Sequence, residues 1–93
     1  MNYRKINPDI IPSLHFTKLD VLLSADDKRE RVHQLVSATA LTVFDHEEVG
    51  LVVQLADGEN VEVSSNMIDY EGDFVELKGG YFIPLHAILK VEM

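Results

Sequence analysis

The chain has 93 residues, of which 46% are hydrophobic, and it carries a formal net charge of −8 at pH 7 without any cysteine. This composition is too apolar for intrinsic disorder, and no apolar run reaches the roughly 18 residues that a bilayer-spanning helix needs. The absence of cysteine excludes a disulfide scaffold and thiolate chemistry. We expect one globular, cytoplasmic protein with neither a signal peptide nor a membrane segment.

The charge is distributed unevenly along the chain. Residues 1–44 contain six basic and five acidic side chains, whereas residues 45–93 contain two basic and eleven acidic ones. Lys and Arg supply most of the affinity in non-specific nucleic-acid binding because they neutralise phosphates. The acidic second half therefore predicts poor general binding of DNA or RNA, and any nucleic-acid role would need a local basic site.

The N-terminal part is predicted to be an extended arm over residues 1–23, followed by a single domain over residues 24–93. The first twelve residues contain two prolines and show little periodicity. Further on, Leu19, Val21 and Leu23 alternate as in a strand, although a helical face also fits this segment. We favour an extended conformation and expect the apolar residues of the arm to cover part of the core or a neighbouring subunit.

Ser24 marks the clearest helix start in the sequence. Its hydroxyl can accept a hydrogen bond from the amide of Asp27, and Asp26 and Asp27 favour the positive end of the helix dipole. The spacing predicts a helix over residues 25–37. Its apolar stripe consists of Val32, Leu35 and Val36.

The cluster Lys28-Arg29-Glu30-Arg31 fits either a solvated helix face or a basic patch that binds a partner. The β-branched and apolar residues 38–44 predict an extended piece after the helix. Residues 45–48 add three acids and one histidine. Consecutive residues cannot all converge on one ion, so we predict a surface loop there and no metal site.

Residues 49–93 contain five strand-like runs. Asp57-Gly58 between residues 50–55 and 60–64 predicts a hairpin, because its turn needs positive φ. We expect the second strand to bend near Ser64 and continue toward residue 68. The remaining runs are residues 74–78, 81–85 and 89–92, with a tight turn at 86–88 between the last two. The sequence thus predicts a mainly β fold, a small five-stranded, strongly bent antiparallel barrel with one N-terminal α-helix.

Residues 53–58, Val-Gln-Leu-Ala-Asp-Gly, resemble the first strand and turn of the Sm-like proteins (Sm, LSm and Hfq). Asp69, a short loop and the strand at 74–77 are similar to the passage from the second to the third strand of that family. The resemblance covers residues 49–93, and more loosely the helix. It implies an Sm-like barrel, a ring-like homo-oligomer assembled through edge strands, and an RNA-associated role.

The resemblance also implies a candidate RNA-binding site. Its members would be Asp69, Tyr70, Asp73, Lys78 and Gly79. RNA-binding relatives carry a Met-Asn pair after the aspartate, whereas Gly72 and Asp73 stand here, and a carboxylate cannot donate a hydrogen bond as an amide does. Lys78-Gly79 is the only candidate for the family's basic-glycine pair, and it comes one strand too early. Tyr70 could stack on a base or cover the barrel core.

Two other small-barrel families are also similar. The acidic Rho-binding antiterminators resemble this chain in fold and charge and bind a protein rather than RNA. The PRC-type barrel shares a Gly-Leu-Val-Val strand, an Asp-Gly turn and a final strand containing Pro-Leu. Both imply an acidic protein-interaction module whose partner has a basic surface.

An enzyme is not expected. The sequence has no glycine-rich phosphate loop that opens a helix, no nucleophile elbow and no paired His-Glu motif, and its four histidines are scattered. We therefore predict no catalytic residues and no cofactor.

Overall fold

A computed structural model describes residues 3–93, which form one α-helix and seven short strands. The elements in chain order are β1 (Arg4–Lys5), a first 3₁₀ turn (Pro8–Ser13), α1 (Ala25–Asp45), β2 (Val49–Gln54), β3 (Asn60–Ser65), β4 (Ile68–Tyr70), β5 (Phe74–Leu77), β6 (Tyr81–Pro84), a second 3₁₀ turn (Leu85–Ala87) and β7 (Ile88–Glu92). The prediction of a mainly β fold with one helix is confirmed.

The first sheet is built around the predicted Asp-Gly hairpin. Gly58 has a φ of 90°, and its amide donates to the carbonyl of Leu55 at 2.9 Å, so the turn uses the positive φ that glycine adopts without strain. β2 and β3 pair antiparallel across it. β7 lies antiparallel to the other side of β2, and β1 runs parallel to β3, which gives the order β1-β3-β2-β7.

The second sheet has the order β4-β5-β6. It begins where the predicted second strand bends, since Ser65 Oγ donates to the Met67 carbonyl at 2.8 Å and breaks the strand into β3 and β4. The sequence predicted one small, five-stranded, strongly bent antiparallel barrel. Within residues 3–93 the strand ladders instead form two separate sheets, because the bend takes the chain away from β2 and pairs its continuation with β5.

The core comprises the inward side chains of both sheets, the inner face of α1 and one residue of the N-terminal segment. Alternate positions of β3 are buried, as expected for a half-exposed strand, whereas the five positions Val49 to Val53 of the central strand β2 are all buried. The largest fully buried side chains include Leu35, Leu51, Ile68, Leu77, Ile83 and Ile88.

α1 starts as predicted and ends eight residues later than predicted. The Ser24 hydroxyl accepts from the amide of Asp27 at 3.0 Å, but the helix continues to Asp45, and His46 follows with a left-handed φ of 55°. The expected extended piece at residues 38–44 is wrong. Thr39 and Thr42 face β4 and accept hydrogen bonds from its backbone amides, so tertiary contacts outweigh the β-propensity of this segment.

The N-terminal segment packs closely on the rest of the chain. Ile11 is only 5% exposed and belongs to the core, and Phe16 forms an isolated antiparallel bridge with Leu55. The predicted arm over residues 1–23 therefore contributes to the fold from residue 3 onward, while Met1 and Asn2 lie outside the described residues. Among residues 3–93, no helix combines the length and apolar character needed to cross a membrane.

Candidate functional site

The outer face of the β4-β5-β6 sheet collects acidic and aromatic side chains. Ile68, Val75 and Ile83 are buried on the inner face. Their neighbours along each strand point the other way because side chains alternate. Asp69 pairs with Glu76, which pairs in turn with Phe82, so the three lie in one row across the sheet.

Three carboxylates converge on this face. Asp69, Glu71 and Glu76 each place one carboxylate oxygen within 4.8 Å of the others. Like charges directly opposite each other in a sheet destabilise it, typically by about 0.2–1 kcal/mol. Hard cations such as Ca²⁺ take about six to eight oxygen ligands, and this cluster offers only three carboxylates on an open surface. We therefore interpret it as a concentration of negative charge that favours cationic groups.

Two phenylalanines lie next to these carboxylates. The rings of Phe74 and Phe82 are 6.4 Å apart between centroids and meet edge to face at 88°. Both are about half exposed, at 49% and 48%. Exposed aromatic side chains are enriched at the centres of protein interfaces. We call the surface formed by Asp69, Glu71, Phe74, Glu76 and Phe82 the acidic-aromatic face.

The residues of the predicted RNA site occupy several different places. Asp69 belongs to the acidic-aromatic face, whereas Tyr70 is half-buried and packs against the core. Asp73 lies in the turn before β5, where its carbonyl accepts from the amide of Leu85 at 2.8 Å. Lys78 follows β5 at its other end. Five residues of extended chain span about 16 Å, so Asp73 and Lys78 are not brought together within one chain.

The glycine at position 79 is explained by the local backbone conformation. Its φ is 95°, and a Cβ atom there would lie 2.8 Å from Cε2 of Tyr81. The positive φ therefore favours glycine at this turn, and any other side chain would also displace the Tyr81 ring.

Lys78 lies between two clefts. One has a volume of about 330 Å³ and is lined by Thr42, Val43, His46, Asn66 and Met67 as well as Lys78. The other has a volume of about 440 Å³ and adds Tyr81, Ser64 and the carboxylates of Asp9 and Glu48. Lys78 and Lys90 are the only cations among residues 45–93.

Arg31 is a structural residue that the sequence did not reveal. The sequence predicts a solvated face or a basic patch for the cluster that contains it, but the Arg31 side chain is 4% exposed. Its guanidinium donates to both carboxylate oxygens of Asp20, at 2.9 and 3.0 Å, and to the carbonyl of Ile88 at 3.1 Å. The hydrogen bond from Arg31 lowers the pKa of the Asp20 carboxyl. Arg31 therefore ties the N-terminal segment and β7 to the helix.

A second ion pair fastens β1 to the hairpin. Arg4 donates from Nε and a terminal guanidinium nitrogen to the two oxygens of Glu59, at 2.8 and 2.9 Å. This contact lowers the pKa of Glu59 and raises that of Arg4. Two of the chain's eight basic side chains, Arg4 and Arg31, are thus engaged in the architecture of the first sheet and its helix.

The sequence contained part of the signal for the acidic-aromatic face. Alternation along β5 placed Phe74 and Glu76 together, opposite Val75 and Leu77. The contribution of Phe82 depends on the register of β6, which no local pattern specifies. Comparisons of this chain with protein-family models, curated proteins and solved structures found no match.

Proposed function

We propose that this protein is an acidic binding module that recognises a basic segment of a partner protein through its acidic-aromatic face. The observation that carries the proposal is the half-exposed Phe74 and Phe82 pair beside the opposed carboxylates of Asp69 and Glu76. The absence of cysteine fits a reducing compartment such as the cytoplasm.

The chemistry of this face suits arginine and lysine side chains. A cation over an aromatic ring gains about 0.5–2 kcal/mol, and carboxylates around the rings accelerate encounter with a basic partner and orient it. A bound cation would also relieve the repulsion between Asp69 and Glu76. An acidic or neutral segment gains none of these contributions.

The test uses an arginine-rich peptide as a probe, with an acidic peptide of equal length as the negative probe. We expect Glu76→Gln to weaken binding of the basic peptide at least about fivefold in calorimetric titrations. The same substitution should stabilise the free protein by about 0.2–1 kcal/mol, because it removes the like-charge pair.

Glu30→Gln is the matched control, since it makes the same charge change at an exposed position of α1. Phe82→Ala should also weaken binding, whereas Phe44→Ala, an exposed phenylalanine elsewhere, should leave it unchanged. Equal effects of Glu76→Gln and Glu30→Gln would mean that the peptide responds only to net charge, and the proposal would be wrong.

A second candidate is an RNA-associated, Sm-like ring. We propose it because the strand order supports an Sm-like arrangement: β7-β2-β3 continues through the bend at Ser65 into β4-β5-β6. β6 and β7 each lie at a sheet edge, where they could pair with a neighbouring chain. Lys78 lies beside two clefts that also contain Asn66.

Light scattering on a sizing column, with and without a short uridine-rich RNA, tests this second candidate. A ring of five to seven chains that binds RNA, and loses it in Lys78→Ala, would support it. Tyr70→Ala would test stacking in the same experiment. A monomer or dimer that ignores RNA would eliminate it and leave the protein-binding proposal.

A further inference from the structure

The strand β1 occupies only part of the edge of β3. Its two residues pair in parallel with Val61 and Glu62, and the amide of Ile6 donates to the Glu62 carbonyl at 2.9 Å. β3 itself continues to Ser65. Within residues 3–93, no strand pairs with residues 63–65 on that side. The outer edge of β3 is therefore open beyond Glu62.

The chain turns away from this edge at Asn7 and Pro8. Pro8 begins the first 3₁₀ turn, and a proline has no N–H to donate to a neighbouring strand. A cleft of about 440 Å³ opens here, lined by residues 7–9 as well as by Ser64 and Ser65. Ligand-binding clefts typically measure about 300–1,000 Å³. A segment that stayed extended could therefore continue along β3 into this cleft.

The side chains of β1 and of the next residue show which chemistry the edge holds. Arg4 donates to both carboxylate oxygens of Glu59, at 2.8 and 2.9 Å. Lys5 Nζ lies 3.7 Å from a carboxylate oxygen of Glu62. Ile6, which follows, is partly buried against the core. The edge of β3 thus binds two consecutive cations followed by an aliphatic side chain.

β1 is held less firmly than the residues that follow it. Arg4 and Lys5 are exposed, and exposed ion pairs contribute little to stability. Ile11, by contrast, is buried in the core and anchors the first 3₁₀ turn. Local opening costs little where few apolar contacts are lost. Residues 3–7 can therefore leave β3 while the rest of the N-terminal segment stays in place.

We propose that the edge of β3 is a second docking site, which takes an extended partner segment with the pattern basic-basic-aliphatic and which β1 occupies in the free protein. The partner segment adds to the sheet parallel to β3, with its cations on Glu59 and Glu62. It pairs with more of β3 than β1 does, because its backbone continues past Ser64. β1 competes as a tethered segment at high local concentration and so excludes weaker partners. The acidic-aromatic face lies on the other sheet and takes no part.

Calorimetric titration of the full chain with the peptide Tyr-Arg-Lys-Ile-Thr-Val-Thr tests the site. Arg4→Glu combined with Lys5→Glu should expel β1 by repulsion from the two glutamates and raise the affinity for the peptide at least about tenfold. Lys28→Glu combined with Arg29→Glu makes the same charge change at exposed positions of α1 and should raise it much less. Equal gains in the two variants would mean that the peptide responds only to net charge, and the inference would be overturned.

Two further measurements locate the peptide. A peptide with proline in place of its valine should bind at least about fivefold more weakly, because it cannot continue along β3. Amide NMR shifts on binding should concentrate at residues 61–65, and Glu76→Gln should leave the affinity nearly unchanged. Shifts on the acidic-aromatic face, with binding lost in Glu76→Gln, would overturn this inference while supporting the proposed function.

The wild type provides a test that needs no substitution. Saturating peptide should accelerate hydrogen exchange at the amide of Ile6, since this amide loses the Glu62 carbonyl as its acceptor. Exchange at the amides of α1 should stay the same. Bound peptide that leaves Ile6 protected would overturn the inference, because β1 would still occupy the edge. So would the failure of the charge-reversed β1 variant to bind millimolar peptide.

Discussion

The burial of Arg31 is a feature of a single residue that the sequence does not predict. It follows Lys28 and Arg29 in a charged cluster, and such clusters normally face water. Its position four residues before Leu35 nevertheless places it on the inner face of α1, where burying a guanidinium requires a carboxylate partner. That partner, Asp20, lies on a segment without regular secondary structure. The pairing could not be predicted, because it depends on the path by which residues 14–23 return to the helix.

Asp20→Asn should destabilise the protein by about 3 kcal/mol at pH 7, because it leaves the buried guanidinium of Arg31 without a counter-charge. Arg31 lowers the pKa of Asp20 below its ordinary value of 3.8. The stabilisation is therefore present above that value and is lost as the pH falls through the folded-state pKa. Urea unfolding at pH 7 and at pH 3 should show a difference between variant and wild type that shrinks in acid.

Asp26→Asn serves as the control, because Asp26 pairs with Arg29 at the exposed surface of the same helix. Exposed pairs contribute only about 0–1 kcal/mol. If both variants lost the same stability, or if the loss in Asp20→Asn were independent of pH, Asp20 would not act through its charge.

At the scale of elements, the C-terminal half of α1 packs along the edge strand β4 and is hydrogen-bonded to it. β4 is an edge strand of three residues, and the amides of Ile68 and Tyr70 donate to Thr42 Oγ1 and Thr39 Oγ1 at 3.2 and 3.3 Å. The helix thus takes the place of a neighbouring strand and covers an edge that would otherwise be open. Local sequence identified the helix start from Ser24. Local sequence could not identify the helix end. Threonine normally favours strands, and the hydrogen bonds that keep Thr39 and Thr42 in the helix come from β4, which is distant in the sequence.

Thr42→Val should cost about 1–3 kcal/mol, because it keeps the side-chain shape but leaves the buried amide of Ile68 without its acceptor. Hydrogen exchange at that amide should accelerate more than exchange in β2. Ser37→Ala, an exposed change on the same helix, should stay within about 0.5 kcal/mol of the wild type. Unchanged exchange at Ile68 in Thr42→Val would show that the threonine does not protect the edge.

The acidic-aromatic face belongs to the same scale. Alternation in β5 is a local property, so Phe74 and Glu76 could be grouped from the sequence. The row through Asp69, Glu76 and Phe82 depends on the register of β4 with β5 and on that of β5 with β6. The length of the connecting turn alone does not predict either register. The predicted RNA-site residues Asp73 and Lys78 lie far apart for a related reason. Asp73 and Lys78 flank β5, and a strand separates whatever lies at its two ends.

At the scale of the whole molecule, periodicity predicted the strands but not their division into sheets. The Asp57-Gly58 hairpin and the tight turn before β7 follow from short-range signals, and both are present. The division into two sheets at Ser65 depends on tertiary pairing, since β3 pairs with β2 whereas its continuation β4 pairs with β5. The N-terminal segment follows the same principle. Its apolar residues predict that it covers part of the core or a neighbouring subunit, but no clear pattern shows that Ile11 is the one that becomes buried.

Ile11→Ala tests whether the N-terminal segment is part of the folding unit. Ile11 is 5% exposed and packs within the core that both sheets and α1 share. Truncating it should cost about 2–5 kcal/mol and lower the midpoint of a single cooperative urea transition. Ile10→Ala makes the same chemical change one residue earlier, where the side chain is 39% exposed, and should cost much less. Equal and small losses would mean that residues 3–23 are detachable from the fold, since a segment outside the cooperative unit contributes nothing to its free energy of unfolding.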